Sequence, residues 1–66
     1  MSSLADEYPK EQARLRDLLE DYSAIGPVGF FGHTMISQVL ARADRAIASG
    51  DVVAMVVSFQ EMKECK

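Results

Sequence analysis

The run Ser49-Gly50-Asp51 constrains the fold of this chain more than any other feature, because it joins a helix end to a helix start. Glycine readily takes the left-handed conformation that ends many helices. An aspartate carboxylate caps the first turn of a following helix. Apolar residues recur at helical spacing on both sides of this run: Ile36, Leu40, Ala43 and Ile47, then Val52, Met55, Val56, Phe59 and Met62. The C-terminal half is therefore predicted to form a helical hairpin with one apolar face.

A further amphipathic helix is predicted in the N-terminal half, from Pro9 to Ala24. Its apolar residues follow 3-4-3 spacing: Leu15, Leu18, Tyr22 and Ile25. Charged residues occupy the opposite positions, which is typical of a helix with one face in a core. Proline is tolerated in the first turn of a helix, so residues 1–7 are expected to lie outside it. Gly26-Pro27 is expected to end the helix, because proline disfavours a helical conformation at the preceding residue.

The second helix is predicted from Gly32 or His33 to Ser49, and the third from Asp51 to Glu64. The β-branched run at 52–57 would also suit a strand. A helix is favoured because Asp51 is a good cap, the helical spacing continues to Met62, and a single strand would have no partner. Residues 1–66 are thus predicted to form one all-α domain of three helices.

Two adjacent phenylalanines, Phe30 and Phe31, stand between glycines in the predicted connection after the first helix. Phenylalanine is among the residues most often buried, so at least one of them is expected to lie in the core. The alternative is that they form an apolar patch on the surface.

The length of the chain leaves self-association as the expected source of extra stability. A domain of 66 residues buries only about 60% of its unfolded surface, and disulfides, metals or oligomerisation usually compensate. The single cysteine, Cys65, cannot form an internal disulfide, and with the single histidine, His33, it cannot complete a four-ligand zinc site. Apolar residues also surround most of the third helix, which favours burial on all sides. A homodimer through the second and third helices is therefore expected.

No catalytic, cofactor or metal site is predicted. His33 and Cys65 are the one pair that resembles a base and a nucleophile, but Cys65 lies in a terminal turn and no third residue orients His33. The glycine-containing segment 26–32 lacks the Gly-Lys-Ser/Thr ending of a phosphate-binding loop.

The charge and hydropathy of the chain restrict the classes of partner and of cellular location that are expected for it. A formal net charge of −3, from 7 basic and 10 acidic side chains, argues against a polyanionic partner. No run of about 18 apolar residues is present, so no membrane-spanning helix is expected. The N-terminus has neither the basic start nor the apolar core of a secretory signal, and a cytoplasmic protein is expected.

Three stretches carry a resemblance to a known group of proteins. They are Ala-Ile-Gly-Pro-Val-Gly-Phe-Phe-Gly at 24–32, Arg-Ala-Asp-Arg-Ala-Ile-Ala-Ser-Gly-Asp-Val-Val-Ala-Met at 42–55, and Glu-Met-Lys-Glu-Cys at 61–65. In these stretches the chain resembles small accessory proteins encoded by transposable tailed phages and related bacterial prophages. The resemblance implies expression in a bacterial cytoplasm and action on a host protein. It includes no motif of known chemistry, so it assigns no role to any residue.

These observations predict a non-enzymatic protein–protein interaction module that inhibits a host bacterial protein, such as a defence protein, a regulator or a pilus component. The predicted contact residues, which combine aromatic and aliphatic side chains, are Phe30, Phe31, Val53, Val57 and Met62. One alternative is a helix-turn-helix regulator, although its reading helix after Gly50 would carry no arginine. Another is a nucleotide-sequestering anti-defence protein.

Overall fold

A computed structural model of the protein describes residues 3–65. This part of the chain forms three α-helices: α1 (Leu4–Ala24), α2 (Phe30–Ser49) and α3 (Val52–Glu64). A short 3-10 helix, Gly26–Gly29, connects α1 to α2. No strand occurs between residues 3 and 65, so the all-α prediction is confirmed and segment 52–57 is helical.

The first helix begins at Leu4, five residues before its predicted start at Pro9. Ser3 caps it, because the Ser3 hydroxyl accepts from the Asp6 N–H at 3.3 Å and the Asp6 carboxylate accepts from the Ser3 N–H at 3.4 Å. This reciprocal capping box satisfies two donors that a helix start otherwise leaves unpaired. The expectation that residues 1–7 lie outside the helix is therefore wrong for 4–7, while residues 1 and 2 lie outside the described part of the chain.

The two turns follow the predicted chemistry. Gly26 (φ 77°) and Gly50 (φ 71°) adopt the left-handed conformation just after α1 and α2, a conformation that glycine takes without a steric penalty. The carboxylate of Asp51 accepts a hydrogen bond from the Ala54 N–H at 3.1 Å and so caps α3. The structure starts α2 at Phe30 rather than at Gly32 or His33, so the two phenylalanines belong to its first turn.

A tyrosine near the start of α1 joins all three helices in the core. The Tyr8 side chain is fully buried. Its hydroxyl donates to the carbonyl oxygen of Ala43 in α2 at 2.8 Å and lies 2.7 Å from the hydroxyl oxygen of Ser58 in α3. Apolar side chains surround this contact: Leu15, Ile36, Val39, Leu40 and Met62. Because a buried hydroxyl without a partner is costly, this pair of contacts favours one alignment of α1 against α2 and α3.

The start of α2 approaches α1 closely through two glycines. A Cβ atom on Gly32 would lie 2.6 Å from the Tyr22 ring, and a Cβ atom on Gly29 would overlap the carbonyl oxygen of Tyr22. Tyr22 is half-buried and packs against the core. It therefore fills the space between α1 and α2 at this point.

Arg14 fixes the end of α3 against α1. Its guanidinium donates from Nη2 to the carbonyl oxygen of Met62 at 2.7 Å and from Nη1 to that of Cys65 at 2.9 Å. The last carbonyls of a helix have no donor within the helix, and a cation beside them also favours the helix dipole. Arg14 pairs in addition with Glu11 at 2.6 Å. The cap of α3 is thus supplied by another helix.

Candidate functional surface

Large apolar side chains are exposed over much of the described part of the chain, at Ile25, Val28, Phe30, Phe31, Met35, Ile47, Val52, Val53, Val56 and Val57. Single exposed apolar residues are ordinary, but extended apolar surface on a small protein marks an interaction site. The candidate functional feature of this protein is therefore a surface rather than an enclosed cavity.

The structure separates the predicted contact residues into exposed and buried groups. Phe30 is 71% exposed, Phe31 77%, Val53 73% and Val57 56%. Met62 is 0% exposed because it lies on the face of α3 that packs into the core, so its prediction as a contact residue is wrong. The expectation that at least one of Phe30 and Phe31 lies in the core is also wrong, because both side chains are exposed.

A difference in helix length leaves the start of α2 uncovered. The second helix has 20 residues and the third has 13, a difference of seven residues or about 10 Å of helix axis. Glu64 and Cys65, at the end of α3, line one depression together with Ile36 and Val39 from the middle of α2. Phe31 and Met35, in the first two turns of α2, are left exposed.

Two apolar grooves lie along α2 and α3. The first, called the valine groove, has a volume of about 510 Å³ and is lined by Ala46, Val53 and Val57. The second, called the phenylalanine groove, has a volume of about 470 Å³ and is lined by Phe31 and Met35, with Val39 beside them. We refer to the surface that contains both grooves as the α2–α3 face.

A salt bridge divides the two grooves. Arg42 and Glu61 line both of them, with Arg42 Nη2 lying 2.9 Å from Glu61 Oε2. Both side chains are partly exposed, and a pair of this kind contributes about 0–1 kcal/mol to stability. Its main structural effect is to place a charged pair between two apolar depressions, so that Phe31 lies on one side of it and the two valines on the other.

Two further charges line the grooves without a described partner. Arg45 lines the valine groove, and Glu64 lines the phenylalanine groove. Among residues 3–65 neither side chain forms an ion pair or a hydrogen bond. Asp51 also lines the valine groove, where its carboxylate caps α3. Among the described residues, the charge left without a partner is thus Arg45 on one side of the Arg42–Glu61 bridge and Glu64 on the other.

Phe30 lies apart from this face. It lines a third depression, of about 340 Å³, together with Tyr22, Pro27 and His33. The structure thus brings Phe31, Val53 and Val57 onto neighbouring grooves and places Phe30 at the end of the molecule where α1 turns into α2.

His33 and Cys65 do not line a common depression. His33 lines the one beside Phe30, whereas Cys65 lines the phenylalanine groove. Burial raises the pKa of the Cys65 thiol, although the nearby Arg14 guanidinium opposes this effect. A raised pKa disfavours the thiolate, which is the nucleophilic form. Between residues 3 and 65 no three His, Cys, Asp or Glu side chains are grouped so that they could hold a metal ion.

Comparison of this chain with protein-family models, with curated proteins and with solved structures gave no match in any of the three. None of the helices within residues 3–65 combines the length and apolar character that crossing a membrane requires. The ground for a functional proposal is therefore the exposed surface of the molecule and the charges around it.

Proposed function

We propose that this protein is a non-enzymatic interaction module, encoded by a phage or prophage, that binds a host bacterial protein in the cytoplasm and inhibits it. Such a target would be a defence protein, a regulator or a pilus component. The observation that carries the proposal is the exposure of Phe30, Phe31, Val53 and Val57 on helices that a packed core holds in place. Aromatic side chains in particular supply large contact area at a low cost in conformational entropy.

The available area is sufficient for a specific interface. A standard interface buries about 800 Å² on each partner, which is less than a fifth of the 4506 Å² that this subunit exposes. The apolar residues are also distributed around the molecule, so more than one partner can be bound at once. Self-association through α2 and α3, acting as a helical hairpin, is the second element of the proposal.

Phe30 is the residue best placed for the host protein, because it lies outside the α2–α3 face. The nearby part of the chain is acidic: Asp17, Glu20 and Asp21 are exposed on the last two turns of α1. No lysine or arginine occurs from residue 17 to residue 41. Electrostatic complementarity therefore favours a target whose apolar pocket has a basic rim.

The pairing of the arginine side chains weakens the two alternatives, a helix-turn-helix DNA-binding regulator and a nucleotide-sequestering protein. Binding of phosphate groups requires available cations. Three of the four arginines pair with carboxylates, Arg14 with Glu11, Arg16 with Asp44 and Arg42 with Glu61. Of these arginines only Arg45 has no partner in the described part of the chain, which supports a protein partner over a nucleic acid or a nucleotide.

The proposal is tested by affinity purification of the tagged chain from a bacterium that carries the corresponding prophage. One host protein is expected to co-purify in stoichiometric amount and to bind the purified chain directly. Phe30→Asp is expected to weaken this binding at least about tenfold, or about 1.4 kcal/mol. Ile47→Asp, an exposed apolar residue elsewhere on α2, is the matched control and should bind as the parent does.

Two results would overturn the proposal. One is the absence of any stoichiometric host protein, and the other is equal capture by Phe30→Asp and by the parent chain. Titration with duplex DNA at several salt concentrations covers the main alternative, because a phosphate-binding regulator would show an affinity that falls steeply as salt increases.

A further inference from the structure

The α2–α3 face carries Arg45 in its valine groove and Glu64 in its phenylalanine groove, two opposite charges without a partner among residues 3–65. We infer that this face binds the same face of a second copy of the chain, around a two-fold axis that passes beside the Arg42–Glu61 bridge and runs across the helices. The inference rests on the self-association element of the proposed function, and it specifies which surface is used and which residues meet.

The first argument is the correspondence between the grooves. An axis of this orientation places the valine groove of one subunit opposite the phenylalanine groove of its partner, and the contact occurs twice. The two grooves have similar volumes, about 510 and 470 Å³. Phe31 and Met35 are 77% and 51% exposed, so these side chains protrude far enough to occupy a groove lined by Val53 and Val57.

The second argument is charge. The same axis brings the end of the face that carries Arg45 against the end of the partner's face that carries Glu64. Each of these side chains lacks a partner within residues 3–65. The Arg42–Glu61 pair of one subunit lies beside the same pair of the second subunit, close to the axis. An axis running along the helices would instead place the two Arg45 side chains at the same end of the interface, where like charges repel.

The third argument is area. A face that is two helices wide along the 13 residues of α3 and one helix wide along the remaining seven residues of α2 has a footprint of roughly 500 Å², since a helix with its side chains is about 10 Å in diameter and rises 1.5 Å per residue. Protruding side chains raise the accessible area above the footprint. The face therefore approaches the ~800 Å² per partner that a stable complex buries.

The experiment is sedimentation equilibrium of the full chain over a wide concentration range, with circular dichroism to monitor helix content. The parent chain is expected to be a dimer, and Val57→Asp a monomer with unchanged helix content, because Val57 is 56% exposed in the single subunit. Lys10→Glu and Asp17→Arg, exposed charge reversals on α1, are the matched controls and should leave the dimer intact.

Charge reversal tests the direction of the axis. Arg45→Glu and Glu64→Arg should each weaken the dimer about tenfold, and the double variant should recover most of that loss, because the two charges are exchanged across the interface. A chain that remains monomeric at all concentrations overturns the inference, as does a dimer that Val57→Asp does not affect. A double variant without recovery overturns the two-fold arrangement. A dimer that behaves as expected but captures no host protein would refute the proposed function and leave this inference standing.

Discussion

The hydroxyl group of Tyr8 donates a hydrogen bond to the carbonyl oxygen of Ala43 at 2.8 Å, across 35 positions of the chain. The same hydroxyl lies 2.7 Å from the Ser58 hydroxyl. Each hydroxyl has one proton, so while Tyr8 donates to Ala43, Ser58 donates to Tyr8 rather than to the Ala54 carbonyl, which lies equally close. Every buried side-chain nitrogen and oxygen atom in the described part of the chain has a hydrogen-bond partner. A polar contact that is satisfied and buried in this way disfavours sliding of α1 along the other two helices.

Replacement of Tyr8 by phenylalanine is expected to lower the free energy of unfolding by about 1–2 kcal/mol, since the ring still packs but its hydrogen bonds are lost. Ser58→Ala should cost less than half as much, because Tyr8 keeps its bond to Ala43. Urea denaturation followed by circular dichroism measures both values. Equal stability of Tyr8→Phe and the parent would show that the contact does not contribute.

Replacement of Arg14 by glutamine is expected to destabilise the last turn of α3. The change removes the two hydrogen bonds to the carbonyls of Met62 and Cys65, at a cost of about 1–2 kcal/mol for bonds from a charged donor that is partly exposed. Amide hydrogen exchange should therefore increase in residues 61–65. Arg16→Gln, which breaks an exposed bridge to Asp44, is the control and should cost under about 1 kcal/mol. Unchanged exchange at 61–65 in Arg14→Gln would contradict the capping role.

The Cys65 thiol is expected to react slowly with an alkylating reagent in the folded protein. Burial raises its pKa above the usual value of about 8.5, so less thiolate is present at a given pH than in the unfolded chain. The associated contribution to stability is present below the usual pKa and is lost as the pH rises through the raised value. Measurement of the alkylation rate from pH 7 to 10, with the chain in urea as control, should show a midpoint at higher pH for the folded form. Coincident midpoints would mean that the thiol is not protected.

Local signals predicted most of the helical structure. Gly50 and Asp51 form the turn that their chemistry indicates, and the ends of α2 and α3 at Ser49 and Glu64 agree with the predicted bounds. These features depend on capping residues within a single helix and not on contacts between helices, so sequence patterns predict them well. The preference of proline for a first turn predicts a start of α1 that is too late, whereas Ser3 and Asp6 have the spacing of the capping box that begins the helix.

Features that depend on contacts between helices could not be predicted in the same way. The core position of Tyr8 was detectable, since it extends the apolar stripe of α1 by one repeat before Leu15. The burial of Met62 and the exposure of Phe31 depend on how α3 is rotated and positioned against the other helices, which no local pattern encodes. The separation of the α2–α3 face into two grooves likewise requires the pairing of Arg42 with Glu61.

The short length of α3 has a consequence for engineering. Two additional turns of helix, designed to continue α3 beyond Glu64 with leucines directed at Phe31 and Met35, would shield these side chains within one polypeptide. A variant of this kind would have a covered phenylalanine groove, while Phe30, Val53 and Val57 would stay exposed. Roughly seven residues of helix would thus close one of the two grooves and leave the other open.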